Sequence, residues 1–60
     1  MNAADISALA RQLFESQGAK AIAVAAQKAA SFVEAGDKEQ AETWRRVRAV
    51  LQEMQGPHES

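Results

Sequence analysis

The clearest helix boundary in the chain lies in residues 32–47, which read FVEAGDKEQAETWRRV. Gly36 is suited to the left-handed backbone conformation that ends many α-helices. Asp37 follows as a candidate N-cap, and Gln40 three residues later completes a pattern similar to a capping box. The sequence therefore predicts that one helix ends just before Gly36 and that the next begins just after Asp37.

The helix after this boundary, helix 3, carries one apolar stripe with the 3-4-3 spacing of a coiled-coil seam. Gly56 and Pro57 are typical of a helix stop, so we predict helix 3 over residues 38–55. One face of this helix is therefore expected to be buried. The stripe consists of Trp44, Val47, Leu51 and Met54.

The helix before the boundary, helix 2, is rich in alanine and is predicted over residues 19–35, between Gly18 and Gly36. At about 100° per residue, its apolar side chains cover an arc of about 200°. An arc of this width favours a central helix that packs against neighbours on two sides. Its alanines would let those neighbours approach to interaxial distances of about 8 Å.

Helix 1 is predicted over residues 3–17. Asn2 can cap it, and Asp5 in the first turn is favourable beside the positive end of the helix dipole. Its apolar residues recur at three- and four-residue intervals, which is typical of a helix with one buried side. They are Ile6, Leu9, Ala10, Leu13 and Phe14.

The chain is short for a folded domain, because a protein of 60 residues buries only about 60% of its unfolded surface. Fourteen residues are alanine, which adds little apolar area to a core. We predict an all-α, three-helix unit with short connections in one domain, residues 1–56, followed by a flexible tail, residues 57–60. Because no disulfide can supplement so small a core, we expect the unit to associate into a larger helical bundle.

The composition disfavours several classes of function. Cysteine is absent, which excludes disulfides and thiolate metal sites, and no apolar run approaches the ~20 residues that span a bilayer. The first residues lack the basic and apolar segments of a secretory leader, so none is expected. We therefore expect no membrane partner.

The residues that could support catalysis are dispersed along the chain. His58, the only histidine, lies in the predicted tail, so no serine or threonine of the folded part has a histidine to activate it. Glu39 and Glu42 share a helix face, but acidic residues are common near a helix start because of the helix dipole. The sequence predicts no enzyme, no catalytic, cofactor-binding or metal-binding residue, and no cofactor.

The apolar side chains exceed what three short helices can cover. If helix 2 is central, Phe14, Val24 and Val50 still need cover, and an exposed apolar patch of a few hundred Å² often marks an interaction site. We therefore predict a small protein–protein interaction module that forms a homodimer, with a different protein as the other possible partner. The residues expected to form the core and interface are Leu9, Leu13, Phe14, Phe32, Trp44, Val47, Leu51 and Met54.

The segment Trp44-Arg45-Arg46-Val47-Arg48 supports an alternative, a nucleic-acid-binding or regulatory helical protein. The three arginines could contact phosphates while Trp44 stacks on a base. The same residues also have an ordinary interpretation, in which Glu42 pairs with Arg45 and Arg46 and Arg48 covers the indole. The net charge of −1 disfavours nucleic acid as the partner.

Residues 17–55, about two-thirds of the chain, resemble a group of short, uncharacterised bacterial proteins with a Gly-Asp-x-Glu…Trp-x-Arg helical pattern. Many members have a histidine before the first glycine, where this chain has Gln17. The resemblance implies a cytoplasmic bacterial protein and implies no activity. The residues that match the pattern are Gly18, Ala21, Ala25, Ala26, Ala29, Gly36, Asp37, Glu39, Trp44, Arg46, Val47 and Gln55.

Overall fold

The computed structural model describes residues 2–55, and this part of the chain is all helical, with three α-helices that pack together. The predicted all-α class is therefore confirmed. The predicted tail, residues 57–60 with His58, lies outside the described residues, as do Gly56 and Met1. The elements are α1 (Ala3–Gln17), a short 3₁₀ turn (Gly18–Lys20), α2 (Ala21–Glu34) and α3 (Lys38–Met54).

The start of α2 differs from the expected residue 19. Gly18 has φ +62° and ψ −136°, a backbone conformation that side chains disfavour, and its N–H donates to the Phe14 carbonyl. The chain then winds as a 3₁₀ turn, in which the Ala21 N–H donates to the Gly18 carbonyl. Regular α-helical geometry begins only at Ala21, because this tighter turn redirects the chain first.

Side-chain caps begin α1 and α3 as the sequence predicts. The side-chain oxygen of Asn2 accepts a hydrogen bond of 3.0 Å from the Asp5 N–H. The carboxylate of Asp37 accepts one of 3.1 Å from the Gln40 N–H. Each cap satisfies a backbone donor that has no partner within its helix.

The connection between α2 and α3 is a Schellman motif centred on Gly36, whose φ is +80°. The Gly36 N–H donates to the Val33 carbonyl at 3.0 Å, and the Asp37 N–H donates to the Phe32 carbonyl at 2.9 Å. These bonds end α2 while Asp37 caps α3, so the two helices form a tight antiparallel hairpin.

The central helix is α3, which corrects the expectation that helix 2 is central. Both α1 and α2 pack mainly against α3, whereas α1 and α2 contact each other only slightly. All three helices contribute to one core cluster. It contains Ile6 and Ala10 of α1, Ala21 and Ala25 from the start of α2, and Val47 and Leu51 of α3. Within residues 2–55, the wide apolar arc of α2 therefore packs mainly on the side that faces α3.

The core is small and rich in alanine. Only three of its buried residues, Ile6, Val47 and Leu51, have large side chains, and no polar side chain of residues 2–55 is buried. Alanine contributes one methyl group each, about 0.8 kcal/mol per buried carbon, but it lets helices approach closely. The buried alanines are Ala10, Ala21, Ala25, Ala29 and Ala41.

We expect Leu51→Ala to destabilise the fold by about 2–5 kcal/mol, because Leu51 is fully buried at the meeting point of the helices. Met54 belongs to the same sequence stripe but is 41% exposed, so Met54→Ala should change the free energy of unfolding by less than about 0.5 kcal/mol. Urea denaturation followed by circular dichroism compares the two variants. Equal losses would contradict the observed packing of α3.

Candidate interaction surface

The residues predicted for the core and interface divide into three groups. Two of them are fully buried, Val47 and Leu51, and Met54 is 41% exposed. Phe32 is half-buried but does not join the core cluster. The other half-buried residues pack against that cluster from its edge, and they are Leu9, Leu13, Phe14 and Trp44.

The residues predicted for the core and interface do not include the exposed apolar surface of α2. Ala21, Ala25 and Ala29 form the buried row of α2, and α3 is the helix that α2 mainly contacts. A second row, which we call the outer face of α2, comprises Ala23, Ala26, Ala30 and Val33. Ala26 is half-buried, the other three are exposed, and Val33 exposes 51% of its surface.

The spacing of the outer face is 3-4-3, which is the spacing of a helix–helix seam. Its members belong to the wide apolar arc of helix 2, but the sequence expectation assigned that arc to packing within the chain. The signal that could have identified the outer face is the pair of parallel alanine rows in one helix. The first row is buried in the hairpin with α3, and the second row, the outer face, is mostly exposed.

A groove of about 310 Å³ lies between α2 and α3 beside the outer face, and we call it the outer groove. Alanine side chains and Val33 provide its apolar lining, and two of the three predicted arginines, Arg45 and Arg48, provide its polar lining. The groove therefore combines an apolar floor with a positively charged wall. Its alanines are Ala26, Ala29 and Ala30.

The three arginines have different surroundings. Arg45 lies 3.8 Å and Arg46 lies 3.6 Å from carboxylate oxygens of Glu42, which confirms the predicted helix-surface pairs. All three side chains of these pairs are more than half exposed, so each pair contributes little to stability. Among residues 2–55, Arg48 forms no ion pair.

The cation over the Trp44 ring is Lys28 rather than Arg48. The Nζ atom of Lys28 lies 5.5 Å from the ring centroid, within the range of a cation–π interaction. Lys28 comes from α2, so this contact joins the two helices of the hairpin, while Arg48 lines the outer groove. The half-buried indole is consequently a packing residue more than an open platform for a base.

Two further grooves each have a single charged residue in their lining. One, of about 260 Å³, lies between α1 and α3 beside Ile6, Arg46 and Val50. The other, of about 390 Å³, follows the exposed side of α1 near Ser7 and Arg11. Within residues 2–55, no three histidine, cysteine or acidic side chains come together as metal ligands would.

Comparison with models of protein families, with curated proteins and with solved structures finds no match for this chain. The likeness to short bacterial proteins therefore stays a prediction from the sequence. Across residues 2–55, none of the helices combines the length and apolar character needed to cross a membrane. The outer face and the outer groove are the two features of the described residues that bear on function.

We expect Lys28→Gln to destabilise the hairpin by about 0.5–1 kcal/mol, because it removes the cation from the Trp44 ring. Arg48→Gln is the matched control and should have almost no effect on stability. The single tryptophan reports unfolding in urea by its fluorescence. The reverse order of effects would assign the cation–π contact to Arg48, as the sequence pattern suggested.

Proposed function

We propose that this protein is a small, non-enzymatic helical interaction module that binds a second helix on the outer face of α2. The observation that carries the proposal is the 3-4-3 row of Ala23, Ala26, Ala30 and Val33, of which Ala26 is half-buried and the other three are exposed. Apolar seams with this spacing are typical of helices that pack against another helix. A cytoplasmic location, which the resemblance to bacterial proteins implies, is part of the same proposal.

A second copy of the chain is the proposed partner in the simplest case. In an antiparallel pair about a twofold axis, Ala23 lies opposite Val33 of the other copy and Ala26 lies opposite Ala30. The axis passes near the middle of α2 (Ala21–Glu34), so the pairing uses the whole helix. Its small side chains allow close contact, and the result would be a bundle larger than three helices.

The small core supports association. Because its buried side chains include only three larger than alanine, each further apolar contact is a large fraction of the total stability. Burial of the outer face would supply such contacts without rearrangement of the hairpin. Association is the usual source of stability for chains of this length that lack disulfides and structural metals.

We expect Ala30→Lys to convert the dimer to monomers, because a long cationic side chain would stand in the seam beside Arg45 and Arg48. Ala8→Lys is the matched control, since Ala8 is also exposed but belongs to α1, away from the outer face. Light scattering after size exclusion, over a hundredfold range of loading concentration, gives the mass of each variant. A monomeric parent chain, or a dimer that Ala30→Lys leaves intact, would refute self-association through this face.

The alternative of nucleic-acid binding is favoured only by the cluster of arginines in α3. Glu42 lies close to two of them, and Trp44 is half-buried under Lys28, so the cluster offers less free charge than the sequence suggests. The two functions differ in how binding depends on salt concentration. In the proposed dimer, the twofold axis places Arg45 and Arg48 of both copies on one side, so screening should strengthen association, whereas binding to phosphates weakens steeply with salt.

We therefore expect a fluorescent DNA duplex to show no saturable binding at about 50 mM salt, a condition that favours phosphate contacts. The dimer measured under the same conditions should tighten as salt is raised to about 0.5 M, where charge repulsion is screened. Fluorescence anisotropy and light scattering provide the two readouts. Saturable binding that is lost when all three arginines are changed to glutamine would instead support the nucleic-acid function.

A further inference from the structure

The outer groove differs from the outer face in charge. Its floor is formed by alanine side chains and Val33, while Arg45 and Arg48 lie along its α3 side. Arg45 has a loose contact of 3.8 Å with Glu42, and Arg48 has no carboxylate partner among residues 2–55. A ligand that enters the groove thus meets an apolar surface with two guanidinium groups along one edge.

An apolar groove with two arginines along one edge is complementary to an amphipathic helix that carries acidic residues on one flank. An amphipathic helix binds an apolar groove through side chains spaced three and four residues apart. Arg45 and Arg48 are themselves three residues apart on α3, about 4.5 Å along its axis. Carboxylates at similar spacing on one flank of a bound helix could each accept charge-assisted hydrogen bonds from them.

A second copy of the chain does not supply these carboxylates. Four neutral residues make up the outer face, and Glu34 is the only acidic residue of α2. In the twofold pairing described above, the arginines of the two copies also lie on the same side. The dimer consequently leaves the positive wall of the groove without a counter-charge.

We propose that the outer groove binds a helix of a different protein, one with small apolar residues facing α2 and glutamate or aspartate along the flank facing Arg45 and Arg48. This inference rests on the proposed function, because both use the outer face of α2. Electrostatic complementarity gives the acidic helix an advantage over a second copy, so it displaces the homodimer and forms a one-to-one complex. Self-association is then the state of the protein in the absence of its partner.

The test uses the full chain and three designed peptides of about 20 residues, long enough to form a helix. All three share an alanine and leucine seam at 3-4 spacing, and their flanking residues are glutamate, glutamine or lysine. Fluorescence anisotropy measures binding at about 50 mM and 0.5 M salt, and sedimentation velocity measures the mass of each complex. We expect the glutamate peptide to bind at least about tenfold more tightly than the glutamine peptide at low salt, and the lysine peptide to bind least.

Substitution of an arginine that lines the groove should reduce the preference for the glutamate peptide. We expect Arg48→Gln to weaken binding of the glutamate peptide about fivefold and to leave binding of the glutamine peptide unchanged. Arg11→Gln, a control in the exposed part of α1, should change neither affinity. Equal affinity for the glutamate and glutamine peptides, or no effect of Arg48→Gln, would overturn the proposal, as would a DNA duplex that binds as tightly as the glutamate peptide.

The two proposals can fail separately. If the chain alone is monomeric but selects the glutamate peptide through Arg48, self-association is wrong and the acidic partner is supported. If the chain is a dimer that Ala30→Lys disrupts, yet the peptides bind without charge preference, the homodimer stands and the acidic partner is wrong.

Discussion

The close packing of one alanine row against α3 is the interaction on which the rest of the structure depends. Ala21, Ala25 and Ala29 lie four residues apart and present a smooth ridge to α3. Because these side chains are small, the hairpin can close tightly at Gly36 and bury Val47 and Leu51 completely. Larger residues in that row would separate the helices and leave α1 without a continuous surface to cover.

The same row explains why the molecule has an open side. A helix with two alanine rows can pack closely on two sides, but the central position belongs to α3, so α2 uses only one of its rows. The second row begins with Ala23 in the first turn of α2 and reaches Val33 at the hairpin end. Beside it, α3 contributes Arg45 and Arg48, and the outer groove thus acquires both apolar and charged edges.

Much of the fold could be predicted from local signals. Asn2 and Asp37 act as caps, and glycines at positions 18 and 36 have the positive φ angles that glycine permits. These features depend on a few neighbouring residues, so a short stretch of sequence contains all the information they need.

The relations between helices could not be predicted in the same way. The hydrophobic pattern gives equal weight to Leu51 and Met54, but in the folded chain Leu51 is fully buried in the core cluster and Met54 is 41% exposed. Alanine rows are also ambiguous, since Ala29 is buried and Ala30, with the same side chain, is exposed. Which row faces α3 depends on contacts between residues far apart in the chain, and so does the choice of Lys28 as the cation over Trp44.

Self-association through the outer face can be tested residue by residue from the backbone amide chemical shifts in two-dimensional NMR, as the protein is diluted a hundredfold. If the outer face of α2 is the surface of self-association, the concentration-dependent shifts will centre on Ala23, Ala26, Ala30 and Val33 and extend to Arg48. The amides around Ala8 and Arg11 in α1 will stay constant. Shifts confined to α1, or spectra without concentration dependence from a protein with the mass of a monomer, would contradict self-association through this face.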